Sequence, residues 1–282
     1  MIVCIVGPTG VGKTKLSIEL AKYYNGIIIN ADSMQIYKEL NIGTAKIKEE
    51  EKEGIKHYLF DIKEPTDMYT VYDYQKDLRK LLDDNKEKNI IIVGGTGLYI
   101  KAGLYNYIFD EDDTNNSYKS LTNEELYNLV LKKDKDSDIH KNNRKRMIRF
   151  LNKKESFKDK DTLLYDAKFI GLTTDRKTLY NRINDRVDLM IKEGLIEEVK
   201  NLYDRNIRSK AILTGIGYKE LYEYFDGKIS LEEAIELIKQ RSRKYAKRQY
   251  TWFNNQMNIN WFDVNFEDFN KTIEEVINYI GK

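Results

Sequence analysis

The chain has 282 residues, and its 48 lysines and arginines nearly balance its 46 aspartates and glutamates, for a formal net charge of +2. With 41% hydrophobic and 12% aromatic residues it can form a sizeable core, which excludes a disordered or collagen-like chain. The longest apolar runs, such as residues 90–93, are far shorter than the roughly 20 residues of a membrane span. One cysteine, Cys4, and two histidines, His57 and His140, exclude an intrachain disulfide and a structural zinc site. We therefore expect a cytoplasmic protein with Cys4 in its core and no membrane partner.

Apolar periodicity predicts alternating strands and helices along most of the chain. Strands are expected at residues 1–6, 27–29, 58–60, 90–93, 167–172 and 259–262. Helices are expected at residues 13–24 and 71–82, over most of 176–253, and at 273–280. Ser230, with Glu233 three residues later, forms a capping box that opens a long basic helix. The alternation predicts an α/β fold, with a parallel sheet covered by helices on both faces.

A polar stretch interrupts this pattern after the fourth predicted strand. Residues 105–139 are rich in Asp, Asn, Ser and Lys and predict one helix, at 123–131, opened by Thr122 and Glu125. We interpret residues 105–139 as a small helical insert, and residues 1–104 and 140–282 as one catalytic α/β domain.

A phosphate-binding motif lies between the first predicted strand and helix. It matches the P-loop pattern G-x-x-x-x-G-K-[ST] and consists of Gly7, Pro8, Thr9, Gly10, Val11, Gly12, Lys13 and Thr14. The glycines let backbone N–H groups and the helix N-terminus point at a phosphate, Lys13 adds a cation, and Thr14 adds a hydroxyl ligand for Mg²⁺. The motif indicates a P-loop NTPase-like fold, but it does not name the reaction, because ATPases, GTPases, kinases and some transferases share it.

The position of the next carboxylate separates these classes. A nucleotide hydrolase usually has an apolar strand that ends in a metal-binding Asp, but strand 90–93 ends in Gly-Gly-Thr. Asp61 also follows an apolar strand, but that strand comes earlier in the chain, so Asp61 is a weaker metal candidate. Asp32, just after the second strand, is better placed, because the carboxyl ends of the strands converge on the ligand crevice. The alternative for Asp32 is a helix N-cap.

Basic residues gather in two clusters, at residues 141–149 and 239–248. They fit an RNA-binding surface, and they fit solvated helix faces equally well. Tyr245, Tyr250, Trp252 and Phe253 accompany the second cluster and suit either reading; we expect Trp252 in the core.

Further motifs resemble those of the tRNA dimethylallyltransferases, also called tRNA isopentenyltransferases or IPP transferases. Besides the P-loop, the blocks that carry the resemblance occur in the family's order at residues 30–37, 41–46, 57–62, 93–99, 179–186, 217–220 and 246–253. Members of this family move a dimethylallyl group from dimethylallyl diphosphate to the exocyclic amine of the adenosine beside the anticodon.

The resemblance implies a role for each matching residue. The P-loop and Arg186 would hold the donor's diphosphate, with Lys13 neutralising the leaving group and Thr14 binding Mg²⁺. Asp32 would be the base and Thr96 would orient the amine, although Thr96 also fits a helix N-cap. Arg182 would be a second diphosphate ligand, and the alternative for Arg182 and Arg186 is a pair of solvated helix arginines. The residues expected to contact the anticodon stem-loop of tRNA are Asp32, Ser33, Met34, Gln35, Thr96, Lys145, Arg146, Met147, Ile148, Arg149, Arg243, Lys247 and Arg248.

Two departures from the family pattern keep alternatives open. The insert is shorter than is usual in the family, and the family's His-Pro-Asn-Asp block reads His140-Lys-Asn-Asn143 here. A related enzyme that prenylates free adenosine phosphates is the nearest alternative, followed by a small-molecule P-loop kinase and a catalytically silent RNA-binding relative. We expect a monomeric enzyme that faces tRNA with its insert.

Overall fold

Six strands form one parallel sheet at the centre of the larger of two units, residues 1–105 and 163–282. The computed structural model describes residues 1–109, 118, 120–152 and 162–281. The strands are β1 (Ile2–Val6), β2 (Ile27–Asn30), β3 (His57–Tyr58), β4 (Ile90–Val93), β5 (Ala167–Thr173) and β6 (Asn260–Asp263). Their spatial order is β3-β2-β4-β1-β5-β6. Strands β2, β3 and β4 lie on one side of β1 within the sheet, and β5 and β6 lie on the other side. This reversal of strand order opens a crevice at the carboxyl end of β1.

Helices cover both faces of this sheet, as predicted. The helices of the larger unit are α1 (Lys13–Tyr23), α2 (Val71–Asp84), α3 (Gly97–Leu104), α6 (Arg176–Lys192), α7 (Leu195–Asp204), α8 (Lys210–Thr214), α9 (Tyr218–Phe225), α10 (Leu231–Gln256) and α11 (Phe269–Ile280); α4 and α5 belong to the second unit. Alternate residues of β1 enter different cores: Cys4 packs with α2 and α3 residues, and Val3 packs with α1 residues. Burial raises the pKa of the Cys4 thiol, which is consistent with a core residue.

The predicted elements agree with the observed ones to within a few residues, with β3 the main exception. This strand was predicted at residues 58–60 but ends at Tyr58, because Leu59 and Asp61 adopt positive φ angles of 62° and 53°. The predicted capping box of Ser230 and Glu233 is confirmed at the start of α10. Asp61, the weaker metal candidate, forms an ion pair with Lys46 at 2.5 Å.

The second unit, residues 106–162, has its own small core. Leu126 and Val130 of helix α4 (Asn123–Lys133) and Met147 of helix α5 (Arg144–Asn152) pack together with Ile139, which lies between the two helices. The predicted insert therefore ended too early: the boundary at residue 139 cuts through this core, because α5 buries its apolar side on α4. The predicted capping box of Thr122 and Glu125 is confirmed.

In the larger unit, the residues that precede the insert contact the residues that follow it. Tyr105 pairs with Leu163 in an antiparallel bridge, and the Leu164 amide donates to the Leu104 carbonyl at 2.8 Å. The two ends of the insert therefore lie side by side. Among the described residues, no helix is both long and apolar enough to cross a membrane.

Candidate active site

The P-loop, residues 7–14, connects β1 to α1 through left-handed backbone at Gly7, Gly10 and Gly12, with φ angles of 136°, 89° and 92°. A Cβ atom at Gly7 would lie 2.5 Å from the Leu172 carbonyl oxygen, so only glycine fits there. The Val11 side chain is fully buried in the core, which leaves its backbone alone for ligand binding. The loop therefore has the phosphate-cradling geometry that its sequence predicts.

Lys13 folds back over this loop. Its Nζ donates hydrogen bonds to the carbonyl oxygens of Gly7, at 3.0 Å, and Pro8, at 2.8 Å. Burial and the charge of Arg186 lower its pKa to about 8, against an opposing effect of Asp32. Lys13 is thus a cation at neutral pH, but a weakened one, which an arriving anion would stabilise.

Two arginines of α6 reach the same loop. Arg186 donates to the Thr9 hydroxyl at 3.0 Å, and burial lowers its guanidinium pKa. Arg182 donates to the Gly10 carbonyl at 3.1 Å and stacks 3.9 Å from the Phe266 ring centroid. Both arginines that the sequence assigned to the diphosphate therefore contact the P-loop.

Gln249 of α10 ties the P-loop to the end of β4. Its side chain accepts a hydrogen bond from the Thr9 amide and donates one to the Gly95 carbonyl, both at 3.0 Å. A Cβ atom at Gly95 would lie 2.1 Å from the Gln249 amide nitrogen, so the second glycine of the Gly-Gly-Thr block makes room for this side chain. Because Gln249 is only 5% exposed, its two bonds are protected from water.

Asp32 follows β2 and is held by the last residue of that strand. The side chain of Asn30, 1% exposed, accepts from the Asp32 amide at 2.9 Å and donates to the Asp32 carbonyl at 3.0 Å. One oxygen of the Asp32 carboxylate accepts from the Met34 amide at 2.9 Å. No helix begins here, so the alternative role of Asp32 as a helix N-cap is wrong. The carboxylate instead closes a short turn.

Thr96 joins the ends of β2 and β4. Its hydroxyl oxygen accepts from the Ser33 amide at 3.0 Å and donates to the Ser33 hydroxyl at 3.3 Å. Thr96 directly precedes α3, but its side chain makes no capping hydrogen bond, so the N-cap alternative is wrong for its side chain. A Cβ atom at Gly94 would lie 2.2 Å from the Ala31 backbone, so glycine there allows the two strand ends to approach.

Two adjoining cavities of about 480 and 300 Å³ meet at Asp32. The first contains the P-loop, with Thr14 at its edge and Ile28, Ile47 and Phe60 on its apolar side. The second lies between the Asp32 turn and α9. The residues that line both cavities are Thr9, Asp32, Thr44, Arg186 and Tyr245. The arrangement places one carboxylate between a phosphate-binding chamber and a second chamber that can admit another molecule.

The predicted RNA contacts divide into groups in the structure. Ser33, Met34 and Arg248 line the second cavity, whereas Gln35 lines the first and donates to the Thr44 carbonyl at 3.0 Å. Lys247 is exposed on α10. Arg243 lines neither of these cavities and hydrogen-bonds Asn184.

The remaining predicted contacts lie in the second unit, on α5. Lys145 is exposed and Arg146 pairs with Asp138 at 2.9 Å. Met147 is fully buried in the core of the unit, so the expected side-chain contact of Met147 with RNA is wrong; Ile148 packs against the same core. The side chain of Arg149 lies outside the described residues. Asn143, in the departing block, caps α5 by accepting from the Arg146 amide at 3.3 Å.

Sequence reasoning assigned no role to Asn30 and Gln249, and it did not single out Glu198. Each is a polar side chain that bonds backbone groups far away in the chain. A sequence signal exists only for Asn30, a polar residue at the end of an apolar strand. The other two lie on helices where a solvated position is equally consistent with the sequence.

Comparisons with known proteins agree with this site. The family model for IPP transferase matches residues 35–256. Proteins named tRNA dimethylallyltransferase from Anoxybacillus flavithermus and Geobacillus thermodenitrificans are each 49% identical over 99% of this chain and 96% of their own. The chain belongs to the IPP transferase family.

Solved structures of the same family share the fold. A full-length tRNA isopentenylpyrophosphate transferase from Bacillus halodurans has a TM-score of 0.79 and 43% identity, covering 99% of this chain and 95% of that one. A eukaryotic dimethylallyltransferase acting on tRNA also has a TM-score of 0.79, with 31% identity over 93% of this chain and 73% of that one. Membership of the IPP transferase family favours a prenyltransferase over the kinase alternative, and tRNA over a free adenosine phosphate as acceptor.

Proposed function

We propose that this IPP transferase moves a dimethylallyl group from dimethylallyl diphosphate to the exocyclic N6 amine of the adenosine adjacent to the anticodon in tRNA. The observation that carries the proposal is the position of Asp32, in the wall shared by the P-loop cavity and the second cavity. The donor would place its diphosphate on the P-loop, and the acceptor base would enter from the second cavity. Asp32 would then lie beside the atoms that react.

The chemistry requires both halves of this site. A bond forms between N6 and C1 of the dimethylallyl group, while the bond from C1 to the diphosphate oxygen breaks and its electron pair leaves with diphosphate. The amine is a poor nucleophile because its lone pair is delocalised into the ring, so a base must take its proton as the new bond forms. Asp32 supplies that base, and Lys13 and Arg186 neutralise the charge that develops on the leaving diphosphate.

The donor atoms near the P-loop fit Mg²⁺. Thr14 is exposed at the start of α1 and lines the same cavity as the Asp32 carboxylate, and both side chains offer the oxygen ligands that Mg²⁺ prefers. Within the described residues, no group of three or more His, Cys, Asp or Glu side chains forms a metal cage. We assign the ion to the Thr14 hydroxyl and the diphosphate itself; when bound, it would withdraw charge from the leaving group.

The acceptor must leave its stack to reach Asp32. Splaying one base from an anticodon loop costs a few kcal/mol, which contacts to the RNA backbone offset. Lys247 and Arg248 of α10 are exposed cations, and Arg248 lines the second cavity. We assign these two residues, together with Ser33 and Met34, to the RNA side of the site.

The test is the transfer of labelled dimethylallyl from its diphosphate, with Mg²⁺, to an anticodon stem-loop that carries the target adenosine. Free AMP serves as a parallel acceptor, and a stem-loop with the target adenosine replaced by guanosine is the control. Label on the adenosine stem-loop alone supports the proposal. Label on AMP alone, or on neither acceptor, overturns it.

A further inference from the structure

Residues 41–45 form a wall of both cavities. Gly43 and Thr44 line the second cavity, whereas Thr44 and Ala45 line the P-loop cavity. Thr44 is therefore one of the residues at the junction, together with Asp32. We call residues 41–45 the wall loop.

A single carboxylate outside both cavities holds this loop. Oε2 of Glu198, on α7, accepts hydrogen bonds from the amides of Asn41, at 3.0 Å, and Ile42, at 2.7 Å. Its Oε1 accepts from the Gly43 amide at 3.1 Å and from the Tyr218 hydroxyl at 2.7 Å. Four donors thus converge on one side chain, more than 150 residues away in sequence from the loop.

The packing around Glu198 shows that the loop is held in one position. A Cβ atom at Gly43 would lie 2.8 Å from the Tyr218 ring, so the loop backbone rests directly on the tyrosine that shares the carboxylate. The pKa of the Tyr218 hydroxyl is raised well above its usual value by burial and by the charge of Glu198, which keeps the hydroxyl a donor. Neither cavity is lined by Glu198 itself.

We propose that Glu198 is a positioning residue for prenyl transfer, which acts by fixing the wall loop so that Thr44 and Asp32 confine the acceptor amine next to the donor. This role rests on the proposed function of the site. A displacement of about 1 Å at such a wall costs as much as about 100-fold in rate, although the wall makes no bond to the reacting atoms. The diphosphate, held by the P-loop, is bound equally well with or without this contact.

The informative variant is Glu198→Gln. An amide of the same shape offers one accepting oxygen and one donating NH₂ group, so at least one N–H or O–H donor now faces another donor. We expect kcat for the stem-loop, per diphosphate-binding site, to fall about 10-fold or more, with diphosphate affinity within about 2-fold of the original. Hydrogen exchange at the amides of residues 41–43 should accelerate, because their acceptors are lost or repelled.

Two further variants separate positioning from general stability. Glu197→Gln makes the same change at the exposed neighbouring residue of α7 and should alter none of these quantities. Tyr218→Phe keeps the carboxylate and the three amide bonds but removes the fourth donor, and it should lower kcat measurably, by about 3-fold. If Glu198→Gln fails to fold, Tyr218→Phe carries the test: a reduced kcat with unchanged diphosphate affinity supports the role, and an unchanged kcat overturns it.

The outcomes distinguish this role from the function on which it rests. If the original chain is active on the stem-loop and Glu198→Gln changes neither kcat nor amide hydrogen exchange at residues 41–43, the role of Glu198 alone is overturned. A fall in activity per chain that is matched by an equal loss of diphosphate-binding sites leaves kcat per site unchanged, and it would also overturn the role. An original chain that transfers no label to RNA would overturn the proposed function and this role together.

Discussion

Asp32 is held in position by hydrogen bonds with the neighbouring residues Asn30 and Met34. Asn30 holds its amide and carbonyl, the Met34 amide binds one carboxylate oxygen, and Thr96 holds the following residue, Ser33. These hydrogen bonds hold the backbone of residues 32 and 33 and one oxygen of the carboxylate. A base prepared in this way loses little conformational freedom when the acceptor arrives.

Asp32→Asn is the most direct test of this residue, because the asparagine oxygen can still accept the hydrogen bond from the Met34 amide while the carboxylate is lost. We expect kcat to fall about 100-fold or more, since the amide cannot take the proton. The affinity for inorganic diphosphate should stay the same or increase, because a nearby negative charge is removed. Single-turnover transfer and diphosphate titration measure the two effects. Asp185→Asn, at another carboxylate of the P-loop cavity, is the control, and an Asp32→Asn chain with the original rate would show that Asp32 is not the base.

Lys13 makes diphosphate binding depend on pH. Its pKa of about 8 means that the free site loses this cation as the pH rises through 8, whereas the bound anion favours the protonated form. One proton must then be taken up on binding above pH 8, so affinity should be roughly 10-fold weaker at pH 9 than at pH 7. Lys13→Met removes the titrating group, and the ratio of the two chains' affinities cancels the titration of diphosphate itself. A ratio that stays constant from pH 7 to 9 would contradict this assignment.

Among the elements, the second unit is the most separable. Its helices α4 and α5 have their own core, and the chain leaves and re-enters the larger unit at Tyr105 and Leu163, which pair with each other. Because closing a short gap between two chain segments that already contact each other costs little entropy, the larger unit does not need the insert to connect its own halves.

Replacing residues 106–162 with a short Gly-Ser linker tests this separation. We expect the shortened chain to fold and to bind inorganic diphosphate within about 2-fold of the original, because Arg182, Arg186 and Gln249, which contact the P-loop, belong to the larger unit. Activity on the stem-loop, as kcat/KM, should fall about 10-fold or more with the loss of the α5 cations. The double variant Lys145→Ala/Arg146→Ala in the full chain shows how much of that fall is charge. Full activity of the shortened chain on the stem-loop would show that the insert does not contribute to RNA binding.

The elements also show what the sequence can and cannot predict. Strands and helices with clear apolar periodicity were predicted correctly, and the P-loop and Asp32 follow because carboxyl ends of parallel strands meet at one edge. The insert boundary was wrong because α5 reads as a basic amphipathic helix whether it packs on α4 or on the sheet. Thr96 does occupy the N-cap position of α3, but its side chain bonds Ser33, which is 63 residues away, and no local pattern indicates that bond. Glu198 was missed for the same reason.

For the whole molecule, a net charge of +2 does not describe the charge at any one place on the surface. Lys247 and Arg248 are exposed on α10, while acidic residues balance the total elsewhere in the chain. RNA affinity depends on local phosphate contacts and released counterions, so a nearly neutral protein can still bind RNA with strong salt dependence.

Salt dependence therefore tests the RNA side of the site. Each phosphate contact contributes about 0.7 to 0.9 to the slope of log affinity against log salt concentration. Lys247→Ala should lower the slope for the stem-loop by about that amount, as measured by titration at several salt concentrations. Lys80→Ala, with the same charge change at an exposed position of α2, should leave the slope unchanged. Equal slopes for all three chains would exclude a phosphate contact at Lys247.

Helix α10 also links the two substrates. Arg248 lines the cavity assigned to the RNA, and the next residue, Gln249, accepts a hydrogen bond from the P-loop amide of Thr9. Any shift of this helix that accompanies RNA binding therefore moves a group that positions the donor's phosphates. Coupling free energies are reciprocal, so the factor by which RNA changes donor affinity equals the factor by which donor changes RNA affinity. A shift transmitted through these two neighbouring residues would therefore change the affinity for each substrate when the other one is bound.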